Sequence, residues 1–468
     1  MSTDRMPCPA PGSDEWWVGS PSHNEHDARL RRGVRDLANA VPVPEIGPAG
    51  LRAAAARRRV RPRARGRWLP ALAAATTALA IVAVGLLPGM PTDLGATPLR
   101  DADVAVLPKT FAVNSYLTAH VSADPPGPVI GLYSYSQGVF PAPGVLVVGV
   151  NGRSFRELDA ASRPSRGYPG SHRSALTLLS PDGTKVAVGD SPSSIAVVDL
   201  VNGKARRYQV HGVARQFLAW SPDSRRLLYL ALPRVPAMFE EPREGEPVVL
   251  DLGSGSSAVI PGQRGTVDAA YASDGSRLAL QRQGELRIVR LDGAVERTLS
   301  LPDRHRLAGA AAWSPDGSRL ALYRMGEVTG QGTPDSVYGL RGEGSPDGLA
   351  VLDLDSGDTF ALGPLSDLRT LLGWRGDRLV VDRWETIAQL PVAGGPAEQL
   401  AMLEPGHGNF TDLQLATALL PTVEVRDAGR DQGPWPVWLM LVVASSGLVA
   451  AGLGILVTRA LRRRGPLP

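Results

Sequence analysis

Trp313-Ser314-Pro315-Asp316-Gly317-Ser318-Arg319-Leu320-Ala321-Leu322-Tyr323 is one copy of a repeated phrase, a tight turn leading into an alternating apolar strand. Pro, Asp and Gly in close succession supply the φ values and side-chain acceptors of a turn, and the run after it reads as strand. The phrase returns at Leu179-Ser180-Pro181-Asp182-Gly183, Trp220-Ser221-Pro222-Asp223-Ser224 and Ala272-Ser273-Asp274-Gly275, and in degraded form at Trp374-Arg375-Gly376-Asp377. Its aspartates stand 41, 51, 42 and 61 positions apart. Self-similarity at that period marks a repeated supersecondary unit, here with insertions in two copies.

Each unit continues in the same way. A second strand ends in Asp before a Gly-containing turn, as in Ala196-Val197-Val198-Asp199-Leu200 before Asn202-Gly203, Val248-Val249-Leu250-Asp251-Leu252 before Gly253, and Val351-Leu352-Asp353-Leu354-Asp355 before Gly357. A third strand then returns at 205–210, 257–260 and 359–362. One such sheet cannot bury both faces, so the units must stack around an axis until a ring closes. Five markers give five blades, and Val129 to Leu158 supplies a sixth. The remaining strands, near Phe111 to Val121 and Leu413 to Val425, either lock the ring or form a seventh blade. The expected fold is therefore all-β, a six-bladed β-propeller (seven-bladed on the alternative) within 89–432. Joining both ends of the array at one place would bring the flanking segments together.

The turn Trp-Ser-Pro-Asp-Gly, followed by Ser-Arg-Leu-Ala-Leu and then Val-Leu-Asp-Leu, resembles the WD40-like (PD40) repeat of TolB-type propellers over residues 129 to 403. With an Arg-rich start and only three Lys among fifty basic residues, the whole layout resembles membrane-anchored members from high-GC Gram-positive, actinobacterial sources. The resemblance implies a fold that binds proteins or small ligands and catalyses nothing by itself.

Two apolar segments flank the repeat. Leu69 to Leu87 is an uncharged run of 19 residues, about 28 Å as a helix, and Val437 to Val457 is one of 21 residues opening with Trp435 and Trp438 nearby. Their flanking cations orient them: Arg57, Arg58, Arg59, Arg61, Arg63, Arg65 and Arg67 precede the first, and Arg459, Arg462, Arg463 and Arg464 follow the second. Positive charge stays on the cytoplasmic side. The expected organisation is a partly helical cytoplasmic segment at 1–67, transmembrane helices at 68–88 and 435–458, an extracytoplasmic propeller between them, and a cytoplasmic basic tail at 459–468. The net charge of +4 divides accordingly into +6 for residues 1–67, +4 for the tail and −6 for everything between. The basic residues thus lie beside apolar segments and form no nucleic-acid face. The single Cys8 excludes an intrachain disulfide.

Candidate chemistry is sparse. Asp353, Asp355 and Asp358 could suggest a calcium loop, but other units read Asp-Leu-Val-Asn-Gly and Asp-Leu-Gly-Ser-Gly at the same place, so a hairpin turn is expected. Asp182, Asp223, Asp274 and Asp316 should cap their own turns. Trp220 and Trp313 recur at equivalent positions, which points to packing between blades and away from a ligand platform. His23, Glu25, His26 and Asp27 include a His-x-x-His pair with no third ligand at zinc spacing. No nucleophile elbow, His-Glu-x-x-His or phosphate-cradling loop occurs. No catalytic, cofactor or metal residue is therefore assigned.

Leu30, Val34, Leu37 and Val41 form a narrow apolar stripe, which either docks a cytoplasmic partner at residues 28–42 or belongs to a solvated or membrane-surface helix. The expected function is a non-enzymatic plasma-membrane sensor. Its propeller binds a protein or peptide outside, and its helices relay occupancy to a cytoplasmic partner such as a sigma factor. The alternatives are a structural scaffold for envelope assembly and, third, an accessory subunit of an enzyme.

Overall fold

The computed structural model describes residues 104–112, 117–137, 140–162, 177–191, 193–234, 245–326, 346–365, 367–404 and 408–434, with a few isolated positions from 445 to 459. The described strands form six blades. Blade 1 takes its innermost strand from the C-terminal side, Gly408–Leu415, followed outward by Val129–Gln137, Phe140–Gly149 and Phe155–Glu157. Blade 2 is Thr177–Leu179, Lys185–Ser191, Ser194–Asp199 and Ala205–Gln209. Blade 3 is Ala214–Trp220, Arg226–Leu232, Glu246–Asp251 and Ser257–Val259. Blade 4 is Asp268–Tyr271, Arg277–Arg282, Glu285–Arg290 and Val295–Ser300. Blade 5 is His305–Leu307, Arg319–Met325, Pro346–Asp353 and Thr359–Pro364. Blade 6 is Thr370–Arg375, Arg378–Arg383, Thr386–Pro391 and Glu398–Leu403, with Thr110–Phe111 added in parallel at its outer edge.

The strand after each marker is apolar on both faces because both faces are covered. In blade 3, Leu227 and Tyr229 pack toward blade 2, while Leu228 and Leu230 pack toward blade 4. Period-two alternation thus serves two interfaces at once. The apolar core is a series of such interfaces around the ring, the last one joining Leu372, Val380 and Ile387 of blade 6 to Ile130, Tyr133 and Leu146 of blade 1.

The marker turn has a side-chain logic. In blades 2, 3 and 5 the Ser Oγ donates to the Asp carboxylate two residues on (Ser180–Asp182, Ser221–Asp223, Ser314–Asp316) and accepts the amide five residues on at 2.9 Å. The carboxylate in turn accepts an amide two residues later, from Thr184, Arg225 and Ser318. Gly183, at φ 70°, lies against the carbonyl of Val129 in blade 1, where a β-carbon would overlap. Blade 6 shortens the turn to Gly376-Asp377 between the paired Arg375 and Arg378, so its degraded marker still makes a regular hairpin.

The leftover strands do lock the ring, and no seventh blade is formed among the described residues, but the pairing differs from the one expected. Leu413 belongs to the innermost strand of blade 1, and Phe111 covers the edge of blade 6. The two chain ends pair directly as Val106–Pro108 with Glu424–Arg426, in parallel. Residues 119–121 and 431–432 then hydrogen-bond along the outer strand of blade 1. Two open sheet edges beside the seam are thereby covered.

Among the described residues no helix is long and apolar enough to cross a membrane. The expected crossings at 68–88 and 435–458 lie outside the described residues, apart from helical positions at 445–447 and 454. So do Cys8, the His23–Asp27 cluster, the stripe at 28–42 and, apart from helical position 459, the tail.

Candidate ligand-binding surface

The two ends of the ring carry different chemistry. Each innermost strand runs toward its marker turn, so marker turns and Asp-Gly turns share one end of the propeller. Hairpins between second and third strands, and the crossovers to the next blade, share the other.

At the marker end the polar side chains are absorbed by turns. Asp353 accepts the amides of Asp355 and Ser356, as Asp199 accepts those of Val201 and Asn202 and Asp251 that of Ser254. The Asp353 group is a hairpin cap in the pattern of its counterparts. Hydrogen bonds hold the carboxyl of Asp316 below the usual range, from Ser314 first and then the Ser318 amide. Residues 416–423 cross this end: Ala416 bonds Ile130, Ala418 bonds Pro181, and Arg375 reaches the carbonyl of Val423. Leu420 is fully buried where Gly373 leaves room for it.

The marker tryptophans join blades. Nε1 of Trp220 donates to Leu178 at 3.0 Å, that of Trp313 to Ala270 at 3.2 Å and that of Trp374 to Ala312 at 3.2 Å, each in the preceding blade. All three rings are buried, so none forms a platform.

At the crossover end, half-buried polar side chains stand on the innermost strands: Gln216 in blade 3, Asp268 in blade 4, Arg306 in blade 5 and Thr370 in blade 6. Blade 5 follows its short inner strand with the 3-10 turn Gly309–Ala311, which packs against the inner strands of blades 3, 4 and 6 and so lies at the axis. Small residues are what such a position admits. Asp268 accepts its neighbour Ala269 N at 2.8 Å and faces the Gly309 amide and the Arg306 guanidinium. Burial nevertheless pushes its carboxyl up to about 7, against those stabilising partners.

One position in the second strand staples successive blades. Gln281 Oε1 accepts Leu307 N of blade 5 at 2.7 Å, and Tyr323 Oη accepts Leu371 N of blade 6 at 2.7 Å. Asp382 holds the corresponding place in blade 6, facing blade 1, and at 2 % exposure its Oδ1 has no hydrogen-bond partner among the described residues. Burial raises this carboxyl too to about 7, opposed by Arg369.

Next to Asp382 the chain turns through Trp384-Glu385, between the paired Arg383 and Thr386. Trp384 is 57 % exposed and sits at φ 45°, a region that costs an ordinary side chain about 1 kcal/mol or more. The two-residue tip of blade 4, Gln283-Gly284, puts a glycine in that region, at its second position. Arg369 stacks on the indole, its Cζ 4.9 Å from the ring centroid, and Arg383 is held by Asp367 at 2.8 Å. An exposed indole in strained backbone, beside perturbed carboxyls and stacked arginine, has the composition of a recognition surface.

None of Asp268, Arg306, Arg369, Asp382 and Trp384 was singled out from the sequence. Two signals were present: an Asp directly after the apolar run Leu379-Val380-Val381, in the place that blades 4 and 5 give to Gln281 and Tyr323, and a two-residue hairpin tip without Gly, Asn or Asp.

No family model and no curated protein matches the chain. Among solved structures it is similar to TolB from Acinetobacter baumannii, at 17% identity over 62% of this chain and 67% of that one, with a TM-score of 0.38. It is also similar to the hydrazine synthase of Kuenenia stuttgartiensis, at 14% identity over 60% of this chain and 80% of that one, with a TM-score of 0.35. These likenesses concern fold alone.

Proposed function

We propose that this chain is a non-enzymatic binding protein that docks a protein or peptide at the crossover end of its propeller. The observation that carries the reading is Trp384, exposed on strained backbone at the tip of the hairpin between the second and third strands of blade 6. The marker end is occupied by its own turns and by residues 416–423.

In the fuller reading the propeller is extracytoplasmic, held in the plasma membrane by 68–88 and 435–458 with both termini cytoplasmic. It relays occupancy to a cytoplasmic partner, such as a transcription regulator, bound at 28–42. Two features support the relay. The uncharged runs end in arginines at their outer sides only, and a β-carbon on Gly152 of blade 1 would touch both Val106 and Ala428, so the two ends of the propeller lie side by side.

A photo-crosslinking residue placed at 384, and separately at Val259 on the outer strand of blade 3, tests the docking surface in cells that make the full chain. A discrete adduct from position 384 alone is expected; equal labelling from both, or none, would sink the reading. Deleting residues 1–60 tests the relay, which requires the adduct to persist while the downstream response disappears.

A further inference from the structure

In blades 2 to 6 the fifth residue of the second strand stands at the joint with the next blade. Blades 2 and 3 place Gly189 and Leu230 there, and blades 4 and 5 place Gln281 and Tyr323. The last two close their joints on the inner-strand amides of Leu307 and Leu371, each at 2.7 Å. Blade 6 puts a carboxylic acid in that place, Asp382. It pairs with Ile387 in the sheet and so shares the face that packs on Ile130 and Tyr133 of blade 1, where the ring closes.

This joint lacks the staple that Gln281 and Tyr323 provide. Asp382 is 2 % exposed, and among the described residues its Oδ1 receives no hydrogen bond. The inner strand opposite is irregular: its register with Val129–Gln137 shifts between Thr411 and Gln414, and Asp412 stands at φ 57°. Apolar contact holds the joint, with Leu372, Val380 and Ile387 against Ile130, Tyr133 and Leu146, and with buried Phe111 beside the Tyr133 ring. A neutral acid tolerates such surroundings. An ionised one is a buried charge that gains by letting water into the joint.

Arg369, on the crossover out of blade 5, is the cation that acts on this carboxyl, and burial outweighs it. Among the described residues, the ionisable groups that blade 1 and the connection to it bring near the joint are Tyr133, Asp412, Glu404 and Arg430. The Tyr133 hydroxyl donates to the Ala112 carbonyl, and Arg430 acts on Tyr133 and Glu404.

We propose that the joint between blades 6 and 1 is a pH-sensitive closure of the ring, shut while Asp382 holds its proton and opening locally once the carboxyl ionises. The joint between blades 2 and 3, where Ile195 and Val197 meet Leu227 and Tyr229 with no buried carboxyl among the described residues, stays shut over the same range.

Hydrogen-exchange mass spectrometry on the purified full-length chain at about pH 5 and about pH 8, each rate divided by the intrinsic rate at its own pH, tests this. Protection at 379–387 and 129–133 should fall by about tenfold or more at the higher pH, while 195–198 and 227–230 keep theirs. Asp382→Asn, which cannot ionise, should hold the protection of the joint constant across the range. Asp382→Gln, which introduces the residue type that blade 4 uses, should do the same and stands in if the first variant does not fold. An equal fall at both joints would mean global loss of stability without a local opening. That result, no fall in the parent chain, or a fall that persists in either neutral variant would overturn the proposal.

Discussion

Arg156 and Asp431 lie 275 positions apart in the chain, yet the guanidinium of one bonds both the carboxylate of the other, at 3.2 Å, and its backbone carbonyl, at 3.0 Å. The same side chain, only 7 % exposed, also reaches Asp124 at 2.7 Å. One buried arginine therefore pins the incoming and the outgoing segments onto the outer strand of blade 1.

Arg156→Ala should loosen both segments at once. Removing it leaves two half-buried carboxylates without their shared cation, a loss of about 2 kcal/mol or more. Amide hydrogen exchange at Ala119, Phe155 and Asp431 reports it; fast exchange at all three with protection retained in blades 3 and 4 is expected. Protection lost at only one segment would mean that they are held independently.

Gly373→Ala should destabilise the closure from the opposite end. A β-carbon there overlaps Leu420 Cδ1, and the backbone sits at φ 152°. The expected loss is about 1–3 kcal/mol. Adding Leu420→Ala should recover part of it in a double-mutant cycle by chemical denaturation, whereas strictly additive losses would show that the two residues do not compete for space.

Asp382 makes stability depend on pH with an unusual sign. Its folded carboxyl titrates at about 7 and the unfolded one near its ordinary value of 3.8, so between those values the folded state holds a proton that the unfolded state has released. Stability then falls as pH rises from 4 to 7. Asp382→Asn removes that dependence, and the variant should be more stable than the parent at pH 8, by on the order of 4 kcal/mol, with the advantage shrinking toward pH 4. A melting-temperature difference that stays constant across this range would refute the assignment.

Trp313→Phe keeps most of the ring between blades 4 and 5 and removes the donor to Ala270 O. A buried carbonyl left without its donor costs about 1–2 kcal/mol. The urea midpoint should fall with the m-value unchanged; a change in m would instead indicate that the ring no longer unfolds as a unit.

The repeat was legible because turn chemistry is local. Ser, Pro, Asp and Gly act within five residues of one another, so the marker fixed both the hairpin and its period, and the tryptophan repeated at its head could be read as packing. Blade 6 was harder to read, since its turn dispenses with Ser and Pro and closes through Gly376-Asp377. The crossover end offered no repeated motif at all. Asp268 and Arg306 are ordinary charged residues in sequence, and they come together only when the inner strands of blades 4 and 5 converge.

Composition, spacing and charge order by themselves determined an all-β repeat, its blade length, the number of marked blades and the segregation of net positive charge to residues 1–67 and 459–468. Tertiary structure decided how the ring closes. A strand's hydrophobic pattern reports that its faces are buried but not by which partner, so nothing local told that Gly408–Leu415 would enter blade 1 or that Arg156 would hold both chain ends. The raised carboxyl of Asp382 and the exposed Trp384 belong to the same class, because burial and exposure are properties of what surrounds a residue, and the chain's neighbours in space are set only when the last blade meets the first.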